Sequence, residues 1–372
     1  MKRVLFVTNH PGFSKFNKPY MEWFKQQRWI VDNASSGAGV GPVDNQYNIS
    51  IHRSPFSFDN IKAIFQLRKI ITENHYDLIH CHTEMGGVCA RLAAIQVRKR
   101  GTKVIYTSHN YPFYKGSSLL SWLIFFTIEK CLYPLTDAVI AINSEDYELM
   151  KSHRMALGKA YMIDGVGVDL KRFSPISLNE KITLRADFGI GANEFVILYT
   201  AQFIPRKNHA MLINTVPELL KVIPNLRIVF AGSGVLFDKC KQLVQELGIK
   251  DYFLFLGERT DIDTICRISD IHVSTSKLEG QGINNIEAMA CGCPLVVSKV
   301  RGHKDVCKEG RNGFLFALNK PQDLVASIIK LYQDKELYTK ISEQNKIDAQ
   351  KFSVEREVSK MGKIYKEVLG YI

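Results

Sequence analysis

The sequence predicts an α/β protein of two Rossmann-like, doubly wound domains, each built on a parallel sheet. Three observations predict it. Short β-branched runs alternate with helical patterns along the whole chain, the order expected of βαβ units. The runs form two series separated by a Gly-rich stretch without periodicity, GVGVDLKRFSPIS at 165–177. At 372 residues the chain also exceeds the roughly 100–200 residues that one domain core comfortably organises.

The first series comprises VLFVTN (4–9), DLIHCH (77–82), KVIYTSH (103–109), AVIAIN (138–143) and AYMID (160–164). Each apolar run ends in small or polar residues, as at the carboxyl end of a strand. Ile61, Ile64, Phe65, Arg68 and Ile71 predict a helix with a mostly apolar face between two of these strands. The second series is FVILYTAQ (195–202), LRIVFAGSG (226–234), YFLFLGE (252–258), IHVSTS (271–276) and PLVVS (294–298). Between its first two members, Leu212, Val216, Leu219, Leu220 and Ile223 form a helical stripe. The last twenty or so residues also read as a helix. In doubly wound sheets ligands bind outside the carboxyl ends of the strands, so the cleft between the domains is the expected site.

Composition narrows the class. A hydrophobic share of 46% and a charged share of 23% are those of an ordinary globular protein and exclude a disordered chain. The N-terminal MKRVLFVTNHPGF has too short an apolar run for a signal peptide and reads as a buried first strand, so a cytoplasmic protein is expected. Eight cysteines without a CxxC spacing read as reduced core residues. His80 and His82 share a face by strand alternation, but no second ligand cluster follows, and no metal is expected. The net charge of +12 is uneven: residues 1–175 carry 22 Lys+Arg against 14 Asp+Glu, and the remainder 27 against 23. A basic first half implies an anionic partner, whether a phosphate-bearing substrate, an anionic membrane face or nucleic acid. The charges are dispersed and lack interleaved aromatics, which argues against nucleic acid. The longest apolar stretch, LLSWLIFFTIEKCLYPL at 119–135, contains Glu129 and Lys130 and is too short to span a bilayer. It reads as a core helix or as a helix lying on a membrane surface.

Three segments carry the chemistry. In STSKLEGQGINNIEAMACGCPLVVS (274–298) a strand ends near Ser276, a Gly-containing loop follows, and a helix begins near Asn284. Gly280 and Gly282 admit close backbone approach, and the free N–H groups of the new helix suit a diphosphate. Glu279 in the loop and Glu287 in the first helical turn could each accept two hydroxyl hydrogen bonds from a sugar or ribose. Asn284-x-x-Glu287 equally matches a capping box, and Glu279 equally a solvated loop charge. In TAQFIPRKNHAML (200–212), Arg206 and Lys207 could clamp a diphosphate or form a solvated turn. In VIYTSHNYPFYKG (104–116), His109 ends a strand, where a structural role is equally open. No GxGxxG follows the first strand and no GxxxxGK[ST] occurs, which argues against a dinucleotide-dependent oxidoreductase and a P-loop NTPase.

Taken together and in order, these segments resemble glycosyltransferase family 4, the retaining GT-B enzymes. The E-x7-E element with its EAMACGCP tail is the hallmark. HCHTEMGGVCARLAA (80–94), INSEDY (142–147), GVGVDLKRF (165–173), FIPRKNHAML (203–212) and FLGERTDI (255–262) extend the resemblance along the chain, toward the branch that builds capsular and extracellular polysaccharides. The resemblance implies an acceptor-side domain of residues 1–170, with the C-terminal helix 354–372 crossing back to it, and a donor-binding domain of 171–353. It implies that Glu279 contacts the donor sugar and that Gly280, Gln281, Gly282 and Ile283 reach sugar or phosphate through backbone N–H groups. Glu287 would hold the ribose hydroxyls, and Lys207 with Arg206 the diphosphate. Glu258 and Arg259 would lie beside the base, and His109 near the reacting centre. Gln281, Asn284 and Asn285 could read sugar substituents. Ala201-Gln202 stands where many members have Gly-Arg, so Gln202 occupies a donor-binding position without the arginine, and Pro11-Gly12-Phe13 replaces a Gly-Gly turn. The partners implied are a nucleotide-sugar donor, chiefly UDP-linked, and a lipid-diphosphate-linked saccharide at the inner membrane face. No cofactor, metal or nucleic acid is expected, and Asp261-Ile-Asp263 is expected to open a helix rather than bind metal. A nucleotide-sugar 2-epimerase of the same fold and a non-catalytic sugar-nucleotide-binding protein are the alternatives.

Overall fold

A computed structural model describes residues 1–371 apart from 38 and 40. The chain divides into two compact units, residues 1–167 with 354–372, and residues 168–353. The first carries strands β1 (Arg3–Val7), β2 (Ile30–Ser35), β3 (Asn45–Asn48), β4 (Leu78–His82), β5 (Lys103–Ser108), β6 (Ala138–Ala141) and β7 (Ala160–Met162). They form one parallel sheet in the order β3-β2-β1-β4-β5-β6-β7. The second unit carries β8 (Phe195–Thr200), β9 (Leu226–Ala231), β10 (Phe253–Gly257), β11 (Ile271–Ser274), β12 (Leu295–Ser298) and β13 (Gly313–Phe316). Its parallel order is β10-β9-β8-β11-β12-β13. Both sheets reverse direction beside their first strand, which is the doubly wound pattern the alternation of elements predicts.

Each sheet is covered on both faces, as an all-parallel sheet must be. In the first unit one face buries Leu5, Val7, Leu67, Ile79 and Val104. The other buries Val4, Phe6, Phe24 and Ile140 together with Met361, Ile364 and Tyr365 of the C-terminal helix Val354–Val368. That helix approaches helix Phe13–Gln26 closely enough that a Cβ at Gly362 would lie 2.9 Å from the Trp23 indole nitrogen. In the second unit the stripe Leu212, Val216 and Leu219 is buried, with Ile223, as the 3.6-residue period predicts.

The structure corrects several expectations. Strands β2, β3 and β13 lie outside the runs read from the sequence. Helix Phe58–Asn74 buries Asn60, Ala63, Leu67 and Ile71 rather than the face centred on Ile61, Ile64 and Phe65. Ile61 and Phe65 are exposed. The stretch 165–177 is not a free linker: Val168 and Phe173 are buried in the core of the second unit, and Val168 bridges to Ser353. Residues 119–135 form a helix with a five-residue π turn at Trp122–Phe126. No helix among the described residues is long and apolar enough to cross a membrane.

Candidate active site

In the second unit, loops at the carboxyl ends of β8, β11 and β12 converge. The chain leaves β8 through 201–208 and enters helix His209–Leu219 by way of Asn208 in a left-handed conformation (φ 55°). It leaves β11 through 275–282 and enters helix Ile283–Ala290 with Gly282 (φ 84°) as the capping residue. The amides of Ile283 and Asn284 then have no intrahelical acceptor. A Cβ at Gly282 would lie 2.7 Å from the Asn285 side-chain nitrogen Nδ2, so the turn needs glycine on two counts.

Two loops are tied together at a buried carboxylate. Lys207 Nζ lies 2.5 Å from Glu279 Oε1, and Arg206 Nη1 lies 3.5 Å from Oε2. The Arg206 guanidinium also donates to the Leu278 carbonyl (2.8 Å), and the Lys277 amide donates to the Arg206 carbonyl (2.8 Å). Burial pushes the Glu279 carboxyl up, but Lys207 and Arg206 outweigh it and hold the group below the ordinary carboxylate range. Tyr199 supports the pair from beneath, its hydroxyl donating to the Lys207 carbonyl (2.6 Å) and meeting Ser276 Oγ at 3.1 Å. Glu279 is therefore not a solvated loop charge, and Lys207 is not part of a solvated turn. Arg206 remains half-exposed.

Glu287 departs from its expected place. The helix starts at Ile283, so Glu287 falls in its second turn rather than its first. The capping box is absent as well: Gly282 is the cap, and the Asn284 side chain instead donates through Nδ2 to the Thr200 carbonyl at 2.8 Å. That bond fixes the start of the helix to the end of β8. The Glu287 carboxylate makes no hydrogen bond or ion pair with the described residues. Burial pushes its carboxyl up to about 7, Arg172 opposing and Asp263 adding to the shift.

The other predicted donor residues lie apart from this pair. Gln202 is exposed on the loop after β8. Glu258 and Arg259 follow β10 and are exposed, Glu258 reaching Ser233 Oγ at 3.4 Å and Arg259 pairing with Asp261 at 2.5 Å. Asp261 precedes helix Ile262–Ile268, and Asp263 accepts from Arg172 (2.9 Å), so this pair of aspartates opens a helix as expected. Sequence reasoning missed Arg172, Tyr199, Gly302 and His303. The last two follow the strand PLVVS in a Gly-containing turn, the same signal that marked the loop after β11.

His109 belongs to the first unit, just past β5, in a cluster of histidines. His80 Nδ1 lies 2.8 Å from the Tyr365 hydroxyl and its Nε2 lies 2.8 Å from Thr107 Oγ1. His82 Nδ1 meets His109 Nε2 at 3.2 Å, and the Phe13 ring covers His109 edge-on at 4.8 Å. Burial pulls His109 down to about 4 and His80, with His109 adding to the effect, to about 3, so the imidazoles are neutral at physiological pH. No group of three or more potential ligands among the described residues is arranged to hold a metal ion.

Two parallel-sheet Rossmann-like domains, with an acidic loop and a basic turn meeting at the carboxyl ends of the second sheet, define a glycosyltransferase of the GT-B fold. Residues 8–172 match the model of Glycosyltransferase Family 4 and residues 180–348 that of Glycosyl transferases group 1. EpsD of Bacillus subtilis (strain 168), for which glycosyltransferase is itself an inferred activity, is 38% identical over 366 residues, covering 98% of this chain and 96% of its own. The chain belongs to glycosyltransferase family 4. The UDP-Gal:alpha-D-GlcNAc-diphosphoundecaprenol alpha-1,3-galactosyltransferase of Escherichia coli is 27% identical over 82% of this chain and 79% of its own. Among solved structures, Anabaena Alr3699/HepE in complex with UDP-glucose superposes with a TM-score of 0.77 at 20% identity, over 99% of this chain and 100% of its own. Sucrose-phosphate synthase from Thermosynechococcus elongatus gives a TM-score of 0.81 at 18% identity, over the full length of both. These two likenesses bear on the fold.

Proposed function

We propose that the protein transfers a sugar, with retention of anomeric configuration, from a UDP-sugar to a lipid-diphosphate-linked saccharide during capsule or exopolysaccharide assembly. The observation that carries the donor half is the buried Glu279–Lys207 pair beside the unpartnered Glu287. Two carboxylates at one loop-helix junction meet different environments, one held ionised by cations and the other raised by burial. On this reading the diphosphate takes Lys207 and Arg206 from Glu279, and Glu279 turns its acceptor lone pairs to the donor sugar. Gly280, Gln281, Gly282, Ile283 and Asn284 present backbone amides to phosphate or sugar. Glu287 accepts from the ribose diol, and Glu258 and Arg259 flank the base.

As the glycosidic bond breaks, negative charge grows on the leaving diphosphate, and Lys207 with Arg206 is the charge that offsets it. The acceptor hydroxyl attacks from the leaving-group face, and the departing phosphate oxygen takes its proton. No protein base and no metal is needed in that scheme. His109, neutral and half-buried, is assigned to the acceptor side near the reacting centre. The names of two relatives support the donor and acceptor classes, since the Escherichia coli enzyme's describes UDP-Gal and a diphosphoundecaprenol-linked sugar and the Anabaena protein was solved with UDP-glucose.

Two apolar ridges in the first unit support contact with the inner membrane face. Leu119, Leu120 and Leu123 project from the helix around the π turn, and Phe56, Phe58, Ile61 and Phe65 from the start of helix Phe58–Asn74. Large exposed apolar patches rimmed by cations mark lipid or protein contacts, and Lys62, Arg68 and Lys69 lie on the second of these helices.

The test is thermal stabilisation by a panel of UDP- and GDP-sugars. A donor at about 100 times its dissociation constant should raise stability by roughly 2.7 kcal/mol. Glu279→Ala and Lys207→Ala should abolish the shift. A wild-type protein that no nucleotide sugar stabilises would overturn the reading.

A further inference from the structure

The loop that leaves β11 toward Glu279 and Gly282 has no strand beside it, yet it must hold its backbone in one place to serve a sugar nucleotide. On one side Arg206 and Lys277 tie it to the loop after β8. On the other side it rests on the turn after β12. Gly302 has φ 77°, and a Cβ there would lie 2.6 Å from the Gly280 carbonyl oxygen and 2.9 Å from the Gln281 nitrogen. Backbone therefore lies directly on backbone, and any side chain at 302 would push the donor loop outward.

His303 follows, fully buried. Its Nδ1 lies 2.9 Å from the Ser298 carbonyl and must donate there, which leaves Nε2 as an acceptor facing Ser274 Oγ at 3.3 Å. Ser274 and Ser298 are the last residues of β11 and β12, so the imidazole spans the carboxyl ends of two neighbouring strands at the point where the donor loop departs. Ser298 Oγ donates to the Ser276 carbonyl at 2.5 Å, and Ser276 Oγ meets the Tyr199 hydroxyl, which donates to the Lys207 carbonyl. One buried chain of hydrogen bonds thus runs from His303 to the backbone of Lys207. The ring also closes the space beneath Gly282, its Cδ2 standing 3.3 Å from where a Cβ would be.

We propose that Gly302 and His303 are positioning residues for the donor: Gly302 sets the height of the 279–282 loop, and His303 locks the strand ends that carry it. Neither reaches the substrate. The inference rests on the assignment of that loop to the sugar nucleotide. It predicts loss of donor recognition without loss of the acceptor.

The experiment measures kcat and the donor and acceptor KM for wild type, Gly302→Ala, His303→Ala and His303→Asn, with UDP-galactose, UDP-glucose and UDP-N-acetylglucosamine as probes. Each variant's melting temperature is read in parallel. Gly302→Ala and His303→Ala should lower kcat/KM for the donor by roughly tenfold to a hundredfold, the scale of a misplaced positioning group, with acceptor KM unchanged. His303→Asn keeps an amide N–H near the Nδ1 position and should recover most of that loss. Ile328→Ala, in the buried core of the same unit, serves as the control for destabilisation alone, lowering the melting temperature and leaving donor KM as it was. Folded Gly302→Ala and His303→Ala proteins with wild-type donor KM would overturn the proposal. So would a loss no greater than that of Ile328→Ala at equal melting temperature. If the wild type itself binds none of the probes, the assignment of the loop fails first, and the two failures are told apart by that control.

Discussion

Glu287 stands in the second turn of its helix with a carboxyl raised to about 7 and no hydrogen-bond partner among the described residues. Two consequences follow at that residue. A carboxyl whose folded pKa exceeds its unfolded value binds more protons when folded, so its contribution to stability falls as pH rises from about 4.5 toward 7. Glu287→Gln should remove that slope and leave the protein more stable at pH 8, by about 3 kcal/mol at most. With Glu287 in its proposed role as acceptor for the ribose diol, donor binding should move in the opposite sense, because that role needs the ionised carboxylate. The wild-type Kd for UDP is expected to tighten between pH 6 and pH 8, and the Glu287→Gln Kd to stay flat, as titration calorimetry at the two pH values will read. Glu279 behaves differently, since its cations already hold it ionised. Lys207→Ala strips the nearer cation from a buried carboxylate, leaving only the half-exposed Arg206 beside it, and should cost about 3 kcal/mol at most in a denaturant melt. The E-x7-E spacing was legible in the sequence, and with it the pair. The environments were not. A capping box and an unpartnered carboxylate share the same letters, and what decides between them is Gly282 taking the cap while Asn284 reaches across to Thr200.

At the scale of elements, helix Glu84–Ala93 is fastened by a buried ion pair. Arg91 donates twice to Glu129 (2.7 and 2.8 Å), once to the Gly87 carbonyl (2.9 Å), and lies 4.2 Å over the Tyr106 ring. Both side chains are almost wholly buried. Arg91→Ala should therefore cost about 3–5 kcal/mol, whereas Arg91→Met with Glu129→Leu should recover much of that, because the pair's net worth is small once both charges are gone. Chemical denaturation of the single and double variants will measure the difference. The Glu129 that reads as an interruption in the apolar run 119–135 is thus the anchor of that helix, and its exposed side carries Leu119, Leu120 and Leu123. Helix Phe58–Asn74 misleads in the same way. Its apolar residues outnumber what one face needs, and the buried face includes Asn60, whose side chain accepts from the His52 amide and donates to the Ser54 carbonyl. Strand β2 escaped notice because its centre is Asp32-Asn33. Asp32 is buried through hydrogen bonds from Arg3, Tyr76 and Asn45, which no local pattern reveals. Strand β3 is a polar edge with no apolar run to mark it, and β13 is the short run GFLF that opens on a glycine. Most of the legible strands, β1, β4, β5, β8 and β9 among them, are buried on both faces, where parallel pairing demands continuous apolar runs.

For the molecule as a whole, the chain order and the domain order differ. The last helix returns to complete the first unit, filling its core with Met361, Ile364 and Tyr365 and satisfying the Asp164 amide through Glu357 (2.8 Å). Lys360 pairs with both Asp164 and Glu357. Three large buried side chains are worth about 2–3 kcal/mol each, and removing them also orphans His80 at its Tyr365 contact. That loss is comparable to the 5–15 kcal/mol that holds a typical domain folded. A chain ending at Ser353 should consequently lose the first unit while keeping the second, whose core draws nothing from the helix. The distribution of tryptophan makes the outcome readable. All three indoles, Trp23, Trp29 and Trp122, lie in the first unit, and Trp23 packs on Tyr365 with ring centroids 5.5 Å apart. In the shortened chain, tryptophan fluorescence should show no cooperative melting, while far-ultraviolet circular dichroism retains one transition from the second unit. A single shared transition in both probes, at the wild-type temperature, would mean that the helix is dispensable to the first unit's core.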